Sequence, residues 1–201
     1  MFFLRRNWHC LTLKELYYQY LFPQKNLDKK IFVITFDDGY RSNYLNALPL
    51  LKKYNLKATI FLIFNFIGKE NYLNWNEIFE MQDYGIEFGS HTISHLKLTK
   101  ISLPEAKKEI FNSKKFFENR LKREILSFCY PISDFNEKII GLVKEAGYKL
   151  AVVTPCSPEF KESIFTLKRI GISAKDYNLR FLLKTTPIFD FLREIKYRYL
   201  S

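Results

Sequence analysis

Asp37 and Asp38 stand side by side in the stretch VITFDDGYRS, where an apolar run ends and a glycine begins. Neighbouring side chains on a strand point to opposite faces, so the two acids cannot both pair with one buried partner. Two of only three histidines in the chain, His91 and His95, lie four residues apart in SHTISH. That spacing lets both imidazoles reach one metal ion from a helical turn or a tight loop. Two neutral imidazoles and one carboxylate make a three-ligand set with a position left for water, the pattern of a catalytic zinc rather than a structural one. One acid of the pair can then bind the ion while its neighbour stays free as a base. Each motif alone is weak, since Asp-Gly commonly marks a turn and a single His is commonly structural. Their combination carries the weight.

Such residues need a frame that brings distant stretches together. Apolar runs rich in β-branched and aromatic residues occur at 31–36, 58–64, 86–91, 125–130, 150–154 and 165–172, each of strand length. Between them apolar residues recur at helical spacing: Tyr44, Leu48 and Leu51, then Ile78 and Met81, then Ala106, Ile110, Phe117 and Leu121, then Ile139, Val143 and Ala146. Ser102 and Glu105 are spaced as a capping box, and Gly147 is placed to end a helix. This alternation predicts an α/β fold, a mostly parallel sheet covered by helices, with the C-terminal strand ends opening on one side. The acid pair follows the first of these strands, the histidine motif the third, and Tyr130, Pro131, Ile132 and Ser133 the fourth.

At 201 residues and 47% hydrophobic content, the chain has room for one sizeable core. One domain over 1–201 is expected, with the motifs inside about 30–175. The net charge of +11 is spread along the chain and predicts a basic surface. No compact basic run interleaved with aromatics and no zinc-finger spacing occurs, so nucleic acid is not an expected partner. Cys10, Cys129 and Cys156 are odd in number and far apart, and are expected as free thiols. No apolar run approaches the roughly 20 residues of a membrane span, and no export signal is visible. A cytoplasmic or peripheral-membrane placement is expected, or an extracytoplasmic one if the gene continues upstream of Met1. Residues 11–21 are expected as a helix. The terminal PIFDFLREIKYRYLS puts Ile188, Leu192, Ile195 and Tyr199 on one helical face, predicting a closing helix with membrane-surface contact as the alternative.

The sequence resembles the polysaccharide deacetylases with the NodB homology domain, carbohydrate esterase family 4. The likeness runs from TFDDGYRSNYLNALPLLKKYNLKATIFL through NWNEIFEMQDYGIEFGSHTISHLKLT and SFCYP to KEAGYKLAVVT and LKRIGI. Within the family it is most similar to the poly-N-acetylglucosamine and capsule-type subgroup. The resemblance implies a distorted, incomplete (β/α) barrel and one divalent transition metal, usually zinc, held by Asp38, His91 and His95. It implies Asp37 as general base, and hydrolysis of N-acetyl groups on a hexosamine-containing oligo- or polysaccharide. The chain departs from the family pattern at Cys129, where many members carry an Arg beside the catalytic acid. It has no His after His95, where many members place a general acid, and no Tyr-His pair before its first strand run.

On this basis the N–H of Ile132, after Pro131, is the expected oxyanion donor. Tyr130 and Pro131 are expected to line the substrate site, Tyr130 as a sugar-stacking face. Trp75 is expected to pack at a helix start in preference to stacking on sugar, and His9 to be structural. Arg169 is expected either to replace the missing Arg as partner of Asp37 or to be a solvated charge. Two rival functions are a Mg²⁺-dependent phosphatase, against which the two nitrogen ligands count, and a catalytically silent, metal-containing glycan-binding domain.

Overall fold

A computed structural model describes residues 8–21, 30–154, 161–173 and 175–176, with Phe181 and Lys184. Cys156 and the helix expected near the C-terminus lie outside the described residues.

The chain begins with β1 (His9–Leu11), α1 (Leu13–Leu16) and a π-helical turn (Tyr17–Leu21), followed by β2 (Ile31–Val33) and β3 (Thr35–Phe36). A second π-helical turn (Asn43–Ala47) leads into α2 (Leu48–Tyr54). Then come β4 (Thr59–Leu62), α3 (Trp75–Tyr84), β5 (Glu87–Ser90), α4 (Leu103–Leu121), β6 (Ser127–Cys129), α5 (Glu137–Glu145), β7 (Leu150–Val153) and β8 (Leu167–Lys168). Strands β3 to β8 form one six-stranded sheet in sequence order, and every neighbouring pair is parallel. An order without reversal curls the sheet towards a barrel instead of winding helices onto two faces. Among the described residues β8 does not pair with β1, so the barrel is incomplete.

The expected strand over 31–36 is one run shared between two sheets. Its first half pairs in parallel with β1, and its second half with β4. The handover falls at Ile34, whose carbonyl accepts from Thr59 N at 2.9 Å. The helix expected over 11–21 is likewise divided. Thr12 caps α1 in a capping box with Glu15, which leaves Leu11 extended in β1.

Strand alternation sorts the core into two compartments. Ile60, Leu62, Phe88, Phe128, Ala151 and Val153 face outward and pack beneath the helices with Leu51, Ile78, Met81, Ile110, Phe117 and Val143. Phe61, Cys129, Leu150 and Val152 face into the barrel, where Leu13 and Tyr17 join them from α1 and its following turn. Gly89 makes this interior fit. A Cβ there would lie 2.5 Å from the Phe61 ring and 2.6 Å from Ser127 Oγ. The Ser102–Glu105 capping box opens α4 as its spacing predicts, and Gly147, at φ +86°, follows the end of α5. No helix among the described residues is long and apolar enough to cross a membrane.

Candidate active site

Three strand ends meet at the C-terminal mouth of the barrel. Beyond β3 the backbone turns sharply at Asp38 (φ +68°) and Gly39 (φ +71°), with Gly39 N donating to Asp37 O at 2.9 Å. Asp38 Oδ1 then lies 3.5 Å from His91 Nε2 and 3.5 Å from His95 Nε2, and the two nitrogens lie 3.1 Å from each other. A tetrahedral ion with ligand bonds of about 2.0–2.1 Å sets its donor atoms about 3.3–3.4 Å apart. The triangle of donors therefore fits one such ion.

The tautomer fits as well. His91 is buried, and its Nδ1 lies 2.7 Å from Cys129 O. A carbonyl only accepts, so Nδ1 carries the proton and the Nε2 lone pair faces Asp38 and His95. Burial pushes the His91 pKa down and keeps the ring neutral. His95 (φ +59°) follows a second strained turn at Thr92 (φ +69°), and its N–H donates to Thr92 Oγ1 at 3.0 Å. Glu109 of α4 clamps this loop, its Oε2 accepting from Ile93 N at 2.9 Å and Ser94 N at 2.8 Å. Asp38, Thr92, His95, Ile132 and Ser133 all have positive φ. Such strain persists only where the surroundings over-determine it, and it gathers at functional sites.

Asp37 points the other way, into the barrel. Both its oxygens are gripped by Arg169, Oδ1 by Nη1 at 2.7 Å and Oδ2 by Nη2 at 2.8 Å. Arg169 also reaches Thr35 Oγ1 at 3.2 Å and Cys129 Sγ at 3.3 Å, and it sits over the Phe61 ring. Burial alone would push the Asp37 carboxyl up, but the Arg169 guanidinium more than offsets it and holds it below the usual carboxylate range. Burial and the Asp37 charge push the Cys129 thiol well up, so it stays protonated. Asp37, His91 and Cys129 also lie close enough to suggest a metal group. A protonated thiol and a carboxylate occupied by Arg169 make that set the poorer one.

The turn after β6 completes the mouth. Ile132 (φ +54°) is exposed, and among the described residues its N–H has no backbone partner. Ser133 N bonds to Tyr130 O at 3.0 Å, and Asp134 N to Pro131 O at 2.9 Å. Asp134 takes two 2.7 Å bonds from Thr99, tying this turn to the histidine loop.

The family model for polysaccharide deacetylases matches residues 24–151. The chain belongs to the polysaccharide deacetylase family. It is 36% identical over 168 residues to YxkH of Bacillus subtilis (strain 168), a stretch that covers 83% of this chain and 60% of that protein. It is 33% identical over 171 residues to a poly-beta-1,6-N-acetyl-D-glucosamine N-deacetylase of Staphylococcus aureus (strain MSSA476), covering 75% and 58%. The chain thus spans about six-tenths of the length of both curated relatives. Among solved structures, the Streptococcus pyogenes deacetylase PplD in complex with acetate superposes with a TM-score of 0.83 at 26% identity, over 92% of this chain and 83% of that one. IcaB from Ammonifex degensii shares the fold, with a TM-score of 0.78 at 20% identity, over 89% and 83%. The expected family barrel is the fold observed.

Within this family frame, Asp38, His91 and His95 come together and Asp37 lies beside them, as their motifs predict. Arg169 takes the first of its two expected roles and stands where Cys129 leaves the familiar Arg missing. Tyr130 does not line the mouth. It is 1% exposed, packs against Phe128 and Phe135, and gives its hydroxyl to Phe165 O at 3.0 Å, so it has no face for a sugar. Pro131 is buried too, and shapes the turn that presents Ile132. Trp75 packs against Phe79 and under Arg120, the helix-start role. His9 sits in β1 opposite Ile31, six residues before Asp37 and roughly 20 Å of extended chain from it. Sequence reasoning missed Glu109 and Asp134, since one acid on a helix and one in a loop look solvated until their backbone partners are known.

Proposed function

We propose that this chain hydrolyses the acetamide of an N-acetylated hexosamine glycan, with one divalent transition metal, most readily Zn²⁺, held by Asp38, His91 and His95. The observation that carries this is the donor triangle of Asp38, His91 and His95 next to a separately held Asp37. Family membership, the poly-N-acetylglucosamine relative and the acetate found on PplD support the substrate class. Two nitrogen donors count against Mg²⁺, which prefers oxygen, and so against phosphoryl transfer.

When bound, such an ion supplies Lewis acidity, polarising the acetyl carbonyl and lowering the pKa of water from about 15.7 to about 7. His91 and His95 offer lone pairs to it, the first fixed by Cys129 O. Asp37 takes a proton from water as its oxygen attacks the acetyl carbon. Arg169 keeps that carboxylate ionised and aimed. The N–H of Ile132 donates to the oxygen on which negative charge develops. The C–N bond then breaks, giving acetate and the amine. The departing amine takes its proton from solvent and Asp37 releases the one it accepted, because no histidine near the mouth among the described residues is free of the triad to act as donor.

The test is acetate release from a β-1,6-linked N-acetylglucosamine oligomer, together with metal content by elemental analysis. Wild type is expected to carry about one metal per chain and release acetate. His95→Ala is expected to lose both. Equal zinc content in the two proteins would overturn the ligand set, and a metal-loaded wild type that releases no acetate would overturn the activity.

A further inference from the structure

The two histidines of the triad are held in different ways. His91 follows directly on β5, and its ring is fixed by Cys129 O at 2.7 Å. His95 Nδ1 has no hydrogen-bond partner among the described residues, so the turn that carries the ring must aim it. That turn is strained, with Thr92 at φ +69° and His95 at φ +59°. A non-glycine residue keeps such a conformation only where its surroundings over-determine it.

The surroundings grip the turn from two sides. Its carbonyls are met by backbone just beyond β4, Phe64 N donating to Thr92 O at 3.2 Å and Asn65 N to Ile93 O at 3.0 Å. Two of its amides are met by a single side chain from another element. The N–H groups of Ile93 and Ser94 converge on Glu109 Oε2, at 2.9 and 2.8 Å. Successive N–H groups in a turn of this kind form a concave cradle for a negative oxygen. The remaining side-chain bond from outside the turn, Asn65 Nδ2 to Ser94 Oγ at 3.0 Å, is exposed.

Glu109 is placed in turn by α4. Its neighbours Ala106 and Ile110 are buried, and Ser113, four residues on and so on the same face, bonds Ser90 Oγ at 2.8 Å in a buried contact. Ser90 immediately precedes His91. One face of α4 thus holds the chain at the root of both histidines, through Ser113 beside His91 and through Glu109 beside His95. The spacing of the two grips is one helical step of four residues, about 6 Å.

We propose that Glu109 is a positioning residue for the metal site: by accepting from Ile93 N and Ser94 N it aims His95 at the ion, and so sets how tightly Asp38, His91 and His95 hold it. The inference rests on the metal site proposed above and places part of its affinity on a helix that supplies no ligand. The alternative is that Glu109 only fastens the loop to α4, with no consequence for the ion.

Zinc affinity of the full chain, measured by competition with a chromophoric chelator, separates these without relying on turnover. Glu109→Ala removes the grip, and zinc is expected to bind about tenfold to a hundredfold more weakly. Glu109→Gln loses the charge but keeps an oxygen that can accept from both N–H groups, and is expected to stay within about threefold of wild type. If Glu109→Ala fails to fold, Glu109→Asp decides. It keeps the charge but is one methylene too short, and a loss of about fivefold or more is expected. Wild-type affinity in the deciding variant would overturn the positioning role alone. So would a loss in Glu109→Gln as large as in the deciding variant, which would assign the effect to charge instead of grip. A wild type that holds no zinc would overturn the ligand set itself, and this inference with it.

Discussion

The two ends of the barrel each hold a carboxylate aimed into its interior, and the two are treated in opposite ways. At the mouth, burial pushes Asp37 up and Arg169 more than offsets it through two charge-assisted bonds. At the floor, Glu87 at the start of β5 is bonded, among the described residues, only by uncharged groups. Its Oε2 accepts from Lys14 N at 2.9 Å and Thr59 Oγ1 at 2.9 Å, and its Oε1 from Ser127 Oγ at 3.1 Å. Burial prevails there and the Glu87 carboxyl is pushed up. Burial alone therefore does not decide the charge of an acid in this barrel; the partner does. The base proposed at Asp37 must be ionised to work, while an acid that anchors the start of α1 and joins three strands needs only lone pairs.

The largest expected effect comes from removing the mouth carboxylate. Asp37→Asn keeps the shape but cannot accept a proton, and kcat is expected to fall about a hundredfold to ten-thousandfold with metal content unchanged. Loss of metal along with activity would make Asp37 a ligand and remove the contrast between the ends. Next in size is removal of its partner. Arg169→Met leaves burial unopposed, so the Asp37 pKa rises. The reaction needs the ionised form, so the acid limb of the kcat/KM profile moves to higher pH, with a loss of about tenfold or more at neutral pH. An unshifted limb in Arg169→Met would mean that the guanidinium only positions Asp37.

The mouth was far more legible than the floor, for a physical reason. Asp37, Asp38, His91 and His95 are residue types rare in apolar surroundings and sit at strand ends, where period and composition change together. Arg169 could be proposed because Cys129 left a charge without its familiar partner. Tyr130 was misjudged because proximity to the Pro131 turn says nothing about which way a ring points; it faces the helix-covered core with Phe128 and Phe135. Tyr40 and Tyr72, whose rings stack, lie 32 positions apart and meet only through a bridge between loops. Glu87 lies inside the apolar run 86–91, and nothing in that run singles it out. Its partners come from β4, β6 and α1, and no local pattern announces a contact among four elements.

The smallest expected effect is at the floor, where Glu87→Gln tests the comparison from its quieter side. Because the folded-state pKa of Glu87 lies above the unfolded value of about 4.3, its proton is held more tightly in the folded chain. The stability linked to that proton is fully present below the unfolded pKa and is lost as pH rises through the folded one. Wild type should therefore lose part of its stability on going from about pH 4 towards neutral. Glutamine carries no charge at either pH. Its oxygen can accept from Lys14 N and Thr59 Oγ1, and its amide can donate to Ser127 Oγ, so the anchor survives. Glu87→Gln should gain on wild type as pH rises, by roughly 1 kcal/mol or about 2–4 °C in Tm at neutral pH, with the proposed deacetylation undisturbed at the far end. Parallel Tm-against-pH curves for the two proteins would show that Glu87 is ionised in the fold, and that the floor, like the mouth, holds a countercharge.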